Sequence, residues 1–143
     1  MKSLTRRAVL AAAVLVPVVA GAAEPPPGSP LRKAVLDAMR VRTEQDLGPP
    51  IQYLIKGMNV EGNIAFVAAE PQRMNGQKID WRRFPFYQTM EAGGMSDEVA
   101  ALLRFEGGAW RVEEYAFGFT DVVWIDWPTK HRFPERLISD AFR

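Results

Sequence analysis

Residues 51–69 have the sequence IQYLIKGMNVEGNIAFVAA, and this stretch decides the fold. Apolar and polar residues alternate at its start and resume their alternation out of phase after Gly57, which is the period of a strand with one buried face. A glycine at a change of phase predicts a β-bulge, which bends the strand. Glu61-Gly62-Asn63 predicts a tight turn, and residues 64–69 predict the returning strand, closed by Pro71. The stretch therefore predicts a bent β-hairpin.

A second hairpin follows later in the chain. Residues 99–105 predict one strand, Glu106-Gly107-Gly108 the turn, and residues 109–117 the partner strand. Residues 75–96, between the hairpins, are poorly periodic and predict either a long loop or a short irregular strand. The two hairpins together predict four antiparallel strands.

A helix is predicted before the first hairpin. Ser29 is the predicted N-cap, and Pro30 occupies the first helical position, where its missing N–H is tolerated. Apolar residues then recur at i, i+3 and i+4 over about residues 30–45, which is the pattern of an amphipathic helix. Gly48-Pro49-Pro50 is predicted to end it.

The order of these elements predicts an α+β domain over residues 30–143. An N-terminal helix packed on a bent four-stranded antiparallel meander is the simplest way to bury the apolar faces. Residues 118–143 are rich in Trp and Pro and predict a short helical C-terminal tail, with one turn capped by Thr120 or Asp121 and another opened by Pro134.

Three short segments carry a resemblance: Asn63–Val67, Ala101–Arg104 and Gly108–Val112. They are similar to segments of small exported bacterial proteins of unknown function, and the predicted architecture resembles the cystatin-like and NTF2-like α+β folds. The resemblance implies a fold and no activity. Cystatins carry a Gln-x-Val-x-Gly hairpin tip, whereas the first tip here is Val60-Glu61-Gly62-Asn63, so protease inhibition is not implied.

The N-terminus predicts export. Three positive residues (Lys2, Arg6 and Arg7) precede an apolar run over residues 8–20, and Ala20-Gly21-Ala22 fits the small-residue cleavage pattern. We therefore predict a signal peptide over residues 1–23, cleaved near Ala22 or Ala23, and a periplasmic or secreted domain. The paired arginines leave twin-arginine export open beside the Sec route. Residues 24–29 predict a Pro-rich lead that acts as a tether.

The charge balance and the absence of cysteine exclude several classes of function. The chain has 18 basic and 17 acidic residues; removal of residues 1–23, which hold three basic and no acidic residues, leaves 15 basic and 17 acidic ones. A mildly acidic domain lacks the basic face that nucleic acids require, so they are not an expected partner. The absence of cysteine excludes a lipid anchor, disulfides and thiolate chemistry. We expect no cofactor and no metal, contact with the membrane only during export, and a monomer or a dimer.

Three residues are weak candidates for catalysis: Asp121, Asp126 and His131. Two carboxylates near tryptophans suit a general acid/base pair, and imidazole titrates near physiological pH. The alternative is that Asp121 caps a turn, that Asp126 is held by a cation, and that His131 is exposed between Lys130 and Arg132. The catalytic hypothesis is a small cone-pocket α+β enzyme of hydrolase or isomerase type, with a carboxylate as general acid/base.

Five residues outside the periodic elements are candidates for binding a ligand or partner: Trp81, Arg83, Tyr87, Trp124 and Trp127. Exposed aromatic residues beside arginines are typical of partner and sugar-binding surfaces. The alternative is that these aromatics complete a small core. The sequence thus favours a non-catalytic binding or accessory module of the cell envelope, whose ligand is a protein, a glycan or a small molecule.

Overall fold

The computed structural model describes residues 21–143, so the predicted signal peptide up to residue 20 lies outside the described residues. The main elements are α1 (Pro30–Leu47), β1 (Gln52–Glu61), β2 (Ile64–Gln72), β3 (Val99–Glu106) and β4 (Ala109–Phe117). Shorter helices follow as α2 (Tyr87–Glu91), α3 (Trp127–Lys130) and α4 (Arg136–Ser139), with 3₁₀ turns at 74–76, 81–83 and 140–142. The predicted α+β class is confirmed.

The sheet is an antiparallel meander in the order β1-β2-β3-β4. Ile55 pairs with Ala69 and Gly57 with Ala68, which leaves Lys56 as an extra residue and confirms the predicted bulge. β2 is longer than predicted, because it continues through Pro71 to Gln72. Its pairing with β3 ends at Ala69, and proline is tolerated where a strand has lost one neighbour.

A second bulge lies in β4 and was not predicted. Leu102 pairs with Glu114, but Leu103 pairs with Val112, so Glu113 is the extra residue. An extra residue puts two successive side chains on the same face of the strand. The side chains of Glu113 and Glu114 therefore lie together, on the face opposite α1.

The helix α1 covers one face of the sheet, which we call the helix face. Ser29 accepts a hydrogen bond from the Arg32 amide at 3.3 Å and caps the helix as predicted. At the other end, the Arg73 guanidinium donates to the carbonyls of Leu47 and Gly48 at 2.8 and 2.6 Å, which satisfies acceptors that the helix leaves unpaired. Ten buried residues fill this face: Val35, Met39, Met58, Val60, Ala65, Val67, Ala69, Val99, Ala101 and Leu103.

The C-terminal residues 119–142 cover the opposite face, which we call the tail face. Its buried residues are Ile64, Phe66, Ala68, Ala100 and Leu102 from the sheet and Trp127, Phe133, Leu137 and Ile138 from the tail. The predicted turn over Val122–Trp124 is not a helix; the first helical turn is α3, which begins at Trp127. The sheet is thus buried on both faces.

The segment between the hairpins forms helical turns, not a strand. Ile79 is buried with Leu47 and Ile51 in a third cluster, against which Trp81, Phe84 and Phe86 pack. These aromatic rings close one end of the fold.

The Pro-rich lead is not a free tether. Ala23, the residue directly before the lead, exchanges backbone hydrogen bonds of 3.0 and 2.8 Å with Val60 and so extends the sheet at the edge of β1. Arg32 donates to the Glu24 carboxylate at 2.9 Å and to the Pro25 carbonyl at 3.0 Å, and Pro25 is buried. The lead was predicted to be loose because proline-rich composition says nothing about contacts with a strand edge.

Candidate functional site

A groove of about 470 Å³ lies on the tail between the turn after β4 and α4. We call it the tail groove. Its lining residues are Val122, Trp124, Ile125, Pro128, Glu135, Ile138, Ser139 and Phe142. Six of these are apolar and two are polar, which is the composition of many small-ligand sites.

The tail groove keeps large apolar side chains in contact with solvent. Ile125 is 82% exposed, Val122 52% and Phe142 47%. Neighbouring exposed apolar residues, as opposed to isolated ones, mark surfaces that bind something. These three flank one groove and therefore make it the strongest candidate site of the described chain.

Stacked aromatic rings form one wall of the tail groove. Trp124 and Phe142 stack with centroids 5.6 Å apart, and Phe66 of β2 meets both rings edge-on at 5.3 and 5.9 Å. Because Phe66 is completely buried, this wall is anchored in the core of the sheet. A wall fixed in this way offers a preformed surface to a ligand.

Gly57 allows the end of the chain to reach this position. A Cβ atom at Gly57 would lie 2.8 Å from the Ala141 carbonyl oxygen and 2.8 Å from the Phe142 ring. Both contacts are closer than real Cβ atoms make, and a backbone oxygen has little room to yield. The glycine predicted as a bulge residue is therefore also the contact point for Phe142.

Three exposed carboxylates belong to the chain segments that line the tail groove, one as a lining residue and two as chain neighbours of lining residues. Asp121 precedes Val122 in the chain, Asp126 follows Ile125, and Glu135 lines the groove itself. The Asp121 carboxylate accepts a hydrogen bond from the Val122 amide at 3.0 Å. Within residues 21–143 none of the three forms an ion pair, so the expectation that a cation holds Asp126 is wrong.

Three of the four basic side chains of residues 119–143 have other partners. The Lys130 ammonium lies 3.0 Å from the Glu114 carboxylate, and Arg136 forms an ion pair with Glu61. The third of these, Arg143, lies 3.4 Å from the Asp140 carboxylate. Among the side chains of residues 119–143 that form no ion pair within residues 21–143, the three carboxylates therefore outnumber the single guanidinium of Arg132.

His131 belongs to a cluster of charged side chains that joins the tail to β3 and β4. Its Nε2 lies 2.6 Å from the Glu114 carboxylate and its Nδ1 3.5 Å from Glu113, the two residues that the β4 bulge places together. Arg104 donates to Glu113 at 2.8 Å and to the His131 carbonyl at 3.0 Å. The imidazole is only 11% exposed, so the prediction of an exposed histidine was wrong: carboxylates of β4 hold the ring, and Lys130 shares one of them, Glu114.

The surroundings of Glu114 favour its ionised form. Burial raises the pKa, but the hydrogen bonds from Lys130 and His131 favour the ionised carboxylate and outweigh burial. The net effect is a pKa below the ordinary value of 4.5. The cluster is therefore a charged clamp that fastens the tail to β4.

The three catalytic candidates are not brought together. Asp121 and Asp126 are exposed, and His131 engages Glu113 and Glu114 through both ring nitrogens. No hydrogen bond or ion pair of the described residues joins the three side chains. The acid/base hypothesis thus receives no supporting geometry.

A buried hydroxyl triad lies on the helix face. Tyr53 of β1 donates to the Thr43 hydroxyl at 2.7 Å, and Tyr115 of β4 lies 3.1 Å from the same hydroxyl. Burial is the largest influence on both tyrosines and raises the pKa of each above its ordinary value of 10. Thr43 is completely buried, and the triad ties the two edge strands to α1.

The five predicted binding residues occupy different surroundings. Trp124 lines the tail groove, whereas Trp127 is 2% exposed and packs on Phe66, where it has no surface for a ligand. Trp81 and Tyr87 line a second, smaller cavity of about 310 Å³. Arg83 is exposed and lies 3.4 Å from Asp80.

Sequence reasoning missed Ile125, Phe142 and Glu135 as groove residues. One signal was visible: an apolar run, Val122–Ile125, flanked by two carboxylates. The remainder depends on α4 and the chain end folding back beside that run, which no local pattern specifies.

The chain matches no protein-family model, no curated protein and no solved structure. The resemblance to cystatin-like and NTF2-like folds stays a prediction. Over residues 21–143, no helix has the length and hydropathy of a membrane span, and no cluster of His, Asp and Glu is arranged to hold a metal ion.

Proposed function

We propose that the chain is an exported binding module of the cell envelope that holds the apolar part of a ligand in the tail groove. One observation carries this proposal: Val122, Ile125 and Phe142 are exposed around a single groove of about 470 Å³. Exposing these side chains gives up the stabilisation that burial of each would bring, about 1.5–3 kcal/mol. A ligand that covers them recovers part of it.

The chemistry around the groove supports binding without catalysis. A general base must be held in a fixed orientation at the reacting group, and no hydrogen bond from another side chain within residues 21–143 orients the carboxylates of Asp121, Asp126 and Glu135. Both nitrogens of His131 face carboxylates, and Glu114 is shared between Lys130 and His131. Glu135 and Ser139 then serve to orient a bound ligand.

A neutral apolar dye tests the binding site. We expect Nile red to gain fluorescence with the protein, and the Ile125→Ser substitution to weaken the dye's apparent affinity several-fold. Ile125 is 82% exposed, so the change leaves folding almost unaffected. Val41→Ser is the matched control, because Val41 is 63% exposed on α1, away from the groove. Equal effects of the two substitutions, or no dye binding, would contradict the proposal.

Export is the second part of the proposal. The signal pattern of residues 1–23 supports export. The backbone pairing of Ala23 with Val60 is compatible with it, because cleavage after Ala22 leaves Ala23 as the first residue of the domain. The test is fractionation of cells that express the full chain, with the intact mass of the product. We expect a periplasmic or secreted product that begins at Ala23. A full-length cytoplasmic product would contradict export, and a strain without twin-arginine translocation distinguishes the two routes.

A further inference from the structure

We infer that the occupant of the tail groove is a basic apolar peptide segment, one in which large apolar side chains alternate with Lys or Arg. This inference rests on the proposed function, because it names the ligand of the same groove. It is carried by the negative charge of the groove, which the apolar lining alone does not explain.

The charge comes from carboxylates that the described chain leaves without cations. Asp121 and Asp126 lie at the two ends of the Val122–Ile125 run, and Glu135 lies on the groove wall. Of the basic side chains of residues 119–143, Lys130 is paired with Glu114, Arg136 with Glu61 and Arg143 with Asp140. Arg132 is the one that forms no ion pair within residues 21–143, so the unpaired charged side chains of this segment are three carboxylates and one guanidinium. Carboxylates around an apolar surface attract a cation that follows an apolar group into place.

The aromatic wall suits the side chains of such a segment. Lys and Arg pack their alkyl stems along apolar surface while the charged head stays in water. At this site the stem lies on the Trp124 and Phe142 rings, whose faces also attract a cation. The head then reaches a carboxylate such as Glu135.

Charge also argues against other occupants. Cytoplasmic and bacterial membrane surfaces rich in anionic lipids repel an acidic groove, and so do phosphate groups. Fatty acids carry the same sign as Glu135. A segment of a protein partner that combines cations with apolar side chains is the chemistry that satisfies both the wall and the carboxylates.

Three fluorescently labelled dodecapeptides test the inference by anisotropy with the full domain. The first alternates Lys with Leu and Phe, the second replaces each Lys by Glu, and the third keeps Lys but replaces the apolar residues by Ser. We expect only the first to bind well, with the second at least tenfold weaker because of like-charge repulsion. Raising the salt concentration is expected to weaken the first peptide.

Isosteric variants locate the charge. Asp121→Asn, Asp126→Asn and Glu135→Gln together should weaken the first peptide about tenfold, from three exposed charge pairs. The matched control is Asp97→Asn, Glu98→Gln and Glu106→Gln, which removes three carboxylates elsewhere and should leave the affinity unchanged. Asp97 lines the smaller cavity at Trp81 and Tyr87, so an effect there would place the peptide at that cavity and overturn the inference.

The two proposals fail in different ways. If the Glu peptide binds as tightly as the Lys peptide, the inference is overturned while the apolar groove stands. If no peptide binds but Ile125→Ser weakens Nile red, the peptide ligand is overturned and the proposed function again stands. If neither peptides nor dye bind, both are overturned.

Discussion

The two faces of the sheet are buried by different means. On the helix face, one amphipathic helix covers aliphatic side chains that follow the periods of helix and strand, and the buried polar atoms form a closed hydroxyl triad. On the tail face, irregular chain held by aromatic rings and ion pairs covers the sheet, and its outer surface leaves Ile125 and Phe142 exposed. The tail face is open at the tail groove, whereas on the helix side the described cavity, of about 410 Å³, lies at the start of α1 under the Pro-rich lead.

This difference assigns different duties to the two faces. A regular element buries its apolar stripe completely, because its side chains recur on the side that meets the sheet. A segment of short turns presents side chains in several directions, so some remain outside and can meet a ligand. We therefore place stability mainly on the helix face and binding on the tail face.

The largest expected effect separates these duties. Phe66→Ala on the tail face and Met39→Ala on the helix face each remove a completely buried side chain and should each destabilise the fold by about 3–4 kcal/mol, measured by urea unfolding. Only Phe66→Ala should also weaken Nile red binding, because Phe66 supports Trp124 and Phe142. Phe66→Leu should lower both the free energy of unfolding and the affinity for Nile red, each by less than Phe66→Ala does. Equal loss of dye binding in Met39→Ala would contradict the separation.

A smaller effect tests the contact between the bulge and the end of the chain. Gly57→Ala should destabilise the fold by about 1–3 kcal/mol, because the new methyl group collides with Ala141 and Phe142. The control is the same substitution in a chain shortened by residues 141–143, where the collision is removed. The destabilisation should then shrink to a fraction of its size; an unchanged value would show that the strand itself, and not the tail, requires glycine.

The two faces should also respond to opposite extremes of pH. On the tail face, the lowered pKa of Glu114 adds stability above the unfolded-state value of 4.5, and this stability is lost as the pH falls through the folded pKa. Glu114→Gln should cost about 1 kcal/mol at pH 7 and nothing in acid. Urea unfolding from pH 7 to pH 3 should show the free energies of unfolding of the parent and of Glu114→Gln approaching each other as the pH falls. A difference that stays constant over this range would contradict the clamp.

On the helix face, the raised pKa of Tyr53 adds stability below 10, and this stability is lost as the pH rises above 10 towards the folded pKa. Tyr53→Phe removes this group and should flatten the alkaline loss of stability. Tyr87→Phe is the surface comparison: the hydrogen bond with Glu91 also raises the pKa of Tyr87, but this hydrogen bond is exposed to solvent, so its removal should change the alkaline profile less. A similar alkaline profile for the parent and Tyr53→Phe would show that Tyr53 is not responsible.

The smallest effect concerns the lead. A domain that begins at Glu24 lacks the Ala23–Val60 pairing of one that begins at Ala23 and should be less stable by about 0.5 kcal/mol. Amide exchange reports this directly, because the Val60 amide donates to the Ala23 carbonyl. We expect the Val60 amide to exchange faster in the shorter domain, relative to that of Phe66. Identical exchange rates of the Val60 amide in the two domains would show that the Ala23–Val60 pairing does not hold the start of the domain on β1.

The sequence predicted the helix face well and the tail face poorly, for physical reasons. Ser29, Gly57 and the Gly62 turn act locally, and period alone places the residues of α1 and the strands. The tail depends on contacts between residues far apart, such as Phe66 with Trp124, and on the bulge at Glu113 that turns two carboxylates to one side. His131 is an example of what sequence neighbours cannot predict. Lys130 and Arg132 beside it in the sequence predicted an exposed ring, whereas Glu113 and Glu114 of β4 contact the ring and bury it.

The central claim is that the open tail face binds the ligand, and amide chemical shifts test it most directly. The basic apolar peptide is added to saturation to the ¹⁵N-labelled domain, and the shift of each backbone amide is recorded. We predict that the largest changes fall on residues 122–142 and that those of α1 stay in place. Changes centred on α1 or on residues 81–97, or no changes at all, would contradict the account.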